Sequence, residues 1–117
     1  MGYIRNDTIV VSGWEAKRVL RAHSAACSIF DERGMGRLVS GLTQHMTNGG
    51  AACFIAPDGS KEGWEQSDRG KAARDEFIAW MKEPKQADLY LDWALVVLGG
   101  DDHEFSVADS AAHAEVA

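Results

Sequence analysis

The residue types best suited to metal chemistry occur as two separated pairs. His23 and Cys27 stand four positions apart, so both side chains point the same way if the segment is helical. His45 and Cys53 follow on two segments that a hairpin would bring close together. Imidazole and thiolate are ligands that zinc prefers. The helical pair also belongs to an apolar stripe, and the hairpin pair is expected on opposite faces, so we predict no metal site, no cofactor and two reduced structural thiols.

Serine, histidine and carboxylate side chains are present, but their spacing is not typical of a catalytic motif. The chain has four histidines, no Gly-x-Ser-x-Gly turn and no glycine-rich phosphate loop. The acidic run Asp101, Asp102, His103 and Glu104 is typical of a solvated segment. We therefore predict no catalytic residues. One alternative stays open, a small-molecule-binding or catalytic pocket on an open sheet face that involves His45 and Asp92.

The charges are divided unevenly along the 117 residues, whose formal net charge is -6. Residues 1–85 contain all twelve basic and eleven acidic residues, whereas residues 86–117 contain seven acidic residues and no basic one. The two segments thus carry +1 and -7. Because phosphate binding needs clustered Lys and Arg, this distribution argues against a nucleic acid partner.

The first part of the chain is predicted to form a strand followed by a helix. Residues 8–12 are β-branched and apolar on both faces, which is typical of a strand in the interior of a sheet. Ser12 and Glu15 have the spacing of a capping box, which predicts a helix that begins near Gly13. Apolar residues then recur at intervals of three and four until Gly34 ends the helix.

A hairpin, a second helix and a last strand follow. Polar and apolar side chains alternate over residues 38–46, as in an edge strand with one polar face. Asn48-Gly49 then favours a type I′ turn, and residues 51–56 are predicted to form the return strand. A two-residue loop would place Gln44 opposite Cys53. Ser67 or Asp68 is predicted to cap the second helix, and Pro84 is predicted to end it. Its apolar face consists of Ala73, Phe77, Trp80 and Met81. Leu89–Leu98 is predicted as a long final strand.

This order, βαββαβ, is similar to that of the ferredoxin-like fold. The resemblance implies an α+β sandwich, with a four-stranded antiparallel sheet, the first and third strands in its interior, and two helices on one face. Residues 1–100 would form this single domain. Residues 101–117 are interpreted as an acidic tail, flexible or with one short helix.

Helices on one face leave the other face of the sheet open. We predict that this open face carries partner-binding side chains and that Trp64, in the loop between the hairpin and the second helix, adds an exposed anchor. The predicted binding residues are Phe54, Tyr90, Asp92, Val96, Leu98 and Trp64. A second copy, another protein or the tail could cover this face. The long apolar edge at residues 89–98 would also invite strand addition. Trp64 is alternatively a hydrophobic staple for the second helix, and Phe54 with Tyr90 could stack RNA bases.

The run FIAPDGSKEGWEQSD, residues 54–68, together with the opening strand that ends at Trp14, resembles small uncharacterised proteins encoded by bacteriophages and prophages. The resemblance implies an accessory protein that binds and modulates or inhibits a host protein. No secretory signal or apolar span is recognisable, which predicts a cytoplasmic protein without a membrane partner. We therefore predict a non-enzymatic protein-interaction module that is a homodimer, binds another protein, or both.

Overall fold

An antiparallel sheet with two helices on one of its faces forms the molecule. The computed structural model describes residues 5–99 and 105–111. Within these residues there are five strands, in the order β2-β3-β1-β4-β5, and two α-helices. Their bounds are β1 Arg5–Gly13, α1 Ala16–Asp31, β2 Thr43–Gln44, β3 Ala51–Ile55, α2 Glu65–Lys82, β4 Asp92–Gly99 and β5 Phe105–Ser110. The α+β class is confirmed, but the predicted count of four strands is wrong.

Strand β1 lies in the interior of the sheet, between β3 and β4. It is longer than residues 8–12 because both neighbours pair with its backbone, β4 over Arg5 to Ser12 and β3 over Ile9 to Gly13. Its side chains alternate between the two faces, so Ile9 and Val11 are buried under the helices while Val10 is exposed. The prediction that the first and third strands are interior strands is confirmed, since each has a neighbour on both sides.

Helix α1 begins three residues later than predicted, because β1 continues through Gly13 and keeps Ser12 in the sheet. Glu15 occupies the N-cap position without a side-chain capping bond, so the capping box is wrong. The Glu15 carboxylate instead pairs with Arg18, at 2.8 Å. The backbone N–H of Ala16 donates to the carbonyl of Gly49 at 2.8 Å, which joins the helix start to the hairpin turn.

The predicted edge strand at residues 38–46 is reduced to two residues, Thr43 and Gln44. Residues Gly36–Leu38 form a 3-10 helix, and Val39 makes only an isolated bridge to Ile55. The turn is where it was predicted, since Asn48 and Gly49 both have positive φ angles. The loop is longer than two residues, however, so Gln44 lies opposite Ala51 and not opposite Cys53.

Helix α2 begins at Glu65, earlier than the predicted caps Ser67 and Asp68, and ends before Pro84 as predicted. Its buried face includes Ala73, Phe77 and Met81. Together with α1 it covers one face of the sheet and encloses a core whose largest fully buried side chains are Phe30, Phe77, Ile9, Ile55, Val11 and Val19. Two helices on one face of the sheet are thus confirmed.

The last part of the chain differs most from the prediction. A 3-10 helix at Pro84–Leu89 precedes β4, which therefore starts at Asp92 and not at Leu89. Residues 105–110, which were predicted to lie in the acidic tail, form a strand and not a helix, and this strand, β5, pairs with β4. The edge of β4 that was predicted to invite strand addition is therefore already paired.

An ion pair joins β5 to the helical layer. The Lys82 ammonium on α2 donates to Asp109 Oδ2 at 2.8 Å. This hydrogen bond, with a smaller contribution from the backbone N–H of Ser110, lowers the pKa of the Asp109 carboxyl below its usual value. Asp109 therefore belongs to the helical face of the sheet, while its neighbours Phe105 and Val107 are exposed on the other side.

Candidate functional site

The face of the sheet opposite the helices is apolar at many positions. The alternation of each strand places Val10, Phe54, Ala94, Val96 and Leu98 on this open face. Cross-strand pairing then adds Phe105 opposite Leu98 and Val107 opposite Val96. Phe105 is 77% exposed and Val107 is 60% exposed. We call Val96, Leu98, Phe105 and Val107 the β4–β5 patch.

A cleft of about 740 Å³ lies at the other end of the open face. Its apolar lining includes Val10, Phe54 and Ala94, and its polar lining includes Ser12, Thr43 and Asp92. Residues 40–43, between the first 3-10 helix and β2, line one side. We call this space the sheet cleft. Its volume is in the range of sites for small molecules.

The wall at residues 40–43 is held in place through Ser40. Its backbone N–H donates to the carbonyl of Phe54 at 2.9 Å, and its hydroxyl accepts from the N–H of Phe54 at 2.8 Å. The carbonyl of Ser40 also lies 2.9 Å from Nε2 of His23, on helix α1. His23, which the sequence pairs with Cys27 by helical spacing, thus anchors this loop. These bonds pre-form the cleft on the side of β3.

A hydroxyl and an imidazole meet at one end of the cleft, and a residue with a carboxylate side chain pairs with the same strand there. Ser12 Oγ lies 3.5 Å from Nε2 of His45, and Asp92 is the direct cross-strand neighbour of Ser12. Gly50 makes room for this arrangement, because a Cβ atom there would lie 2.5 Å from His45 Nδ1 and 2.5 Å from the carbonyl oxygen of Gly13. The contact between Ser12 and His45 is at the outer limit of a hydrogen bond. The arrangement is thus suited to binding a polar head group.

The structure divides the six predicted binding residues among three places. Phe54 and Asp92 line the sheet cleft, and Val96 and Leu98 belong to the β4–β5 patch. Tyr90 and Trp64 are on neither. Sequence reasoning missed Ser12, which it used as a helix cap, and Phe105 and Val107, which it left in the tail. The apolar-polar-apolar alternation of residues 105–107 was the available indication of a strand.

The prediction that Tyr90 lies on the open face is wrong. Tyr90 follows the second 3-10 helix in a left-handed conformation, with φ of 49°, two residues before β4 begins at Asp92. The guanidinium of Arg18, on α1, lies 5.4 Å from the centre of its ring. Since Phe54 and Tyr90 do not share a face, the pair of aromatic side chains predicted to stack RNA bases is not formed.

Trp64 stands at the N-cap position of α2 and is 54% exposed. A hydrophobic staple uses the residue before the N-cap, so Trp64 is not in the staple position. Lys61 Nζ lies 6.0 Å from the centre of its ring, close enough for a cation–π interaction. The role of Trp64 in binding a partner stays a prediction.

The two cysteines are free thiols in the helix-facing half of the molecule. Burial raises the pKa of the Cys53 thiol to about 11, and burial, followed by the charge of Asp31, raises the pKa of Cys27. In the parts of the chain that the structure describes, no three His, Cys, Asp or Glu side chains are placed to hold a metal ion. The acidic residues 101–104 lie outside the described residues.

These thiols should react slowly in the native protein. Because the thiolate is the reactive species, we expect iodoacetamide at pH 8 to modify Cys53 at least about tenfold more slowly in native protein than in protein unfolded by urea. Mass spectrometry of quenched time points measures both rates. Equal rates under the two conditions would contradict the burial of Cys53.

A buried arginine connects β1, α2 and the loop between β3 and α2. Arg74 is 8% exposed. Its guanidinium lies 3.7 Å from Asp7 Oδ2 and 3.6 Å from Asp58 Oδ2. Asp58 also accepts from the backbone N–H of Ser60 at 2.7 Å. Because these contacts join three elements of the fold, we interpret the network as structural.

Comparisons with known proteins do not assign a family. No protein-family model and no curated protein matches the chain. Among solved structures, the crystal structure of the adenylyl cyclase CyaB from P. aeruginosa is similar at 14% sequence identity, with a TM-score of 0.28. The match covers 92% of this chain and 66% of that chain. A likeness at this level carries no argument about fold or activity.

Among the described residues, neither α1 nor α2 contains a stretch that is both long enough and apolar enough to cross a bilayer.

Proposed function

We propose that this chain is a non-enzymatic protein-interaction module that self-associates through the β4–β5 patch. The observation that supports the proposal is a pair of adjacent apolar cross-strand pairs, Val96 with Val107 and Leu98 with Phe105, in which Leu98, Phe105 and Val107 are exposed and Val96 is half-buried. Cross-strand neighbours on one face form a continuous surface. Water contact with such a surface is unfavourable, so a partner that covers it gains free energy.

The area of the patch is that of a weak, reversible dimer. Its four side chains expose on the order of 300 Å² of apolar surface, the size at which such patches begin to mark interaction sites. A second copy would remove about twice this area from water, for roughly 15 kcal/mol before association costs of about 4–15 kcal/mol. Because the gain and the costs are of similar size, we expect weak association that is visible at high protein concentration.

We expect contact through the face of the sheet and not through the edge of β5. The pairing of β5 with β4 shifts register between Leu95 and Val96, which is a β-bulge. A short strand with a bulge is a common protection against edge-to-edge pairing. The patch itself has no ionisable side chain, whereas the whole chain carries -6. Added salt should therefore strengthen the dimer by screening repulsion between copies.

Light scattering after size exclusion tests self-association. We expect the wild type to approach twice the monomer mass of 12.7 kDa at high concentration. Leu98→Lys places a charge in the patch and should weaken association at least about tenfold, because an unpaired buried charge is costly. Leu20→Lys is the matched control, since Leu20 is similarly exposed but lies on α1.

A wild-type monomer at every accessible concentration would overturn self-association, as would equal effects of Leu98→Lys and Leu20→Lys. A chain ending at Ala111 separates a further possibility. If only this shortened chain dimerises, residues 112–117 cover the patch in the full chain and the proposal fails for the native protein.

Two finer proposals concern the fold and the biological role. We propose that the first four strands and two helices are a ferredoxin-like core that β5 extends, which the order β2-β3-β1-β4 supports. We further propose a phage-type role in which the module binds and modulates a host protein in the cytoplasm, supported by the resemblance of residues 54–68. A host protein retained from bacterial lysate by wild type but not by Trp64→Ala of equal stability would support Trp64 as the contact.

A further inference from the structure

We propose that the sheet cleft is a binding site for small molecules that combine an apolar, aromatic-sized body with a cationic amine. The site is separate from the β4–β5 patch. Asp92 and Leu98 are six residues apart on one strand, which places the two ends of the open face about 20 Å from each other. The two sites border each other in the middle of β4, where Ala94 lines the cleft and Val96 belongs to the patch, and Asp92 marks the end of the cleft that lies away from the patch.

The depth of the cleft results from small residues between larger ones. Ala52 lies beside Ser12, and Ala94 lies beside Val10, which in turn pairs with Phe54. The two alanines leave space above the sheet that a larger side chain would fill. Phe54 and the wall at residues 40–43 stand on the same side of this space. An apolar body can thus lie on Val10 and against the Phe54 ring, with water excluded from both.

The charges at the Ser12 and Asp92 end of the sheet cleft indicate which ligand head group it would bind. Among the described residues that line the cleft, Asp92 alone is charged at neutral pH, because Cys53 keeps its proton. An ammonium group has three N–H donors and no acceptor. The Asp92 carboxylate and the Ser12 hydroxyl can both accept from it. A carboxylate has room for about four hydrogen bonds, so a partner within the protein does not prevent this contact.

His45 adds a third acceptor when its ring is neutral. Its Nε2 lies 3.5 Å from Ser12 Oγ, close enough for both atoms to contact one nitrogen between them. An anionic head group would instead meet the negative charge of Asp92. The site should therefore prefer an amine over a neutral alcohol of the same shape, and the alcohol over a carboxylate.

Three compounds with the same phenyl body test this order: 2-phenylethylamine, 2-phenylethanol and phenylacetate. Titrations followed by the amide resonances of the wild-type chain should show binding at residues of β1, β3 and β4. We expect the amine to bind at least about fivefold more tightly than the alcohol, which is the effect of one partly exposed ion pair, and phenylacetate to bind most weakly.

Two substitutions locate the effect. Asp92→Asn should bring the affinity for the amine to that for the alcohol, while Asp88→Asn, an equal change of net charge outside the cleft, should leave the preference unchanged. Ala94→Leu should abolish the binding of all three compounds by filling the cleft. The order of affinities in the wild type tests the proposal even if a variant fails to fold.

The outcomes are distinguishable. Equal affinity for the amine and the alcohol, or an amine preference that survives Asp92→Asn, would overturn the assignment of the head group. If none of the three compounds shifts resonances of the cleft residues, the binding site itself is overturned. Neither result affects self-association, which light scattering measures independently.

Discussion

Phe77→Ala should lower the free energy of unfolding by about 3–5 kcal/mol. Phe77 is fully buried on the sheet-facing side of α2, and its ring stacks on Trp80 with 6.3 Å between ring centres. Truncation removes the apolar contacts of a whole ring and leaves a cavity that closes only if α2 shifts toward the sheet and disturbs its other packing contacts. For a domain of this size, whose total stability is typically about 5–15 kcal/mol, the loss is large.

Urea denaturation followed by circular dichroism measures this change. An unchanged slope of the unfolding free energy against urea concentration indicates that the variant still unfolds in two states. Phe54→Ala is the matched control. It removes a phenylalanine side chain from the open face, where Phe54 is already partly exposed. We therefore expect the free energy of unfolding to fall by at most about 1 kcal/mol. Similar losses for the two variants would contradict the assignment of the helix-facing side of the sheet as the core.

Arg74→Ala should be the most damaging substitution of a charged residue, with a loss of about 3 kcal/mol. The substitution removes the cation that faces Asp58 and one of the two that face Asp7, whose carboxylate keeps its contact with Arg5 at 2.9 Å. The Asp58 side chain is only 8% exposed, so water can compensate little of the lost interaction. A second consequence is structural, because Arg74 ties the loop after β3 to both α2 and β1.

Lys71→Ala provides the control on the same helix. Lys71 pairs with Asp75 at 2.7 Å, a shorter distance than either contact of Arg74, but the pair is exposed. Exposed pairs of this kind contribute about 0.3–0.5 kcal/mol. A large loss for Arg74→Ala beside a small loss for Lys71→Ala would show that burial, and not the distance between charges, decides the contribution. Equal losses would refute the buried network.

Local sequence patterns predicted the faces of the elements better than their ends. The alternation in residues 51–55 and 91–97 placed the correct side chains toward the core, because the two-residue period is a property of any extended strand. Asn48 and Gly49 located the turn through their tolerance of positive φ. The starts of α1, α2 and β4 were each wrong, because several nearby residues could begin each element and tertiary contacts selected among them.

The candidate site was only partly predictable. Asp92 and Phe54 were found as outward-facing residues of apolar strands, which the alternation suffices to indicate. Ser12 was missed because a local capping motif offered a competing interpretation. His45 reaches Ser12 only because the hairpin folds back along β1, over a separation of 33 residues. No local pattern carries such a contact.

The sequence by itself determined the α+β class, the order of the first six elements and the core-facing side of β3 and β4, since these follow from hydrophobic periodicity along the chain. Only the tertiary structure decided that residues 105–110 form a fifth strand, because β-pairing depends on an available partner edge as much as on the strand itself. Tertiary structure also decided that Tyr90 leaves the open face and that the cleft and the patch lie at opposite ends of it. Strand registers across the sheet set these positions, and a register is a relation between distant segments that neither segment specifies alone.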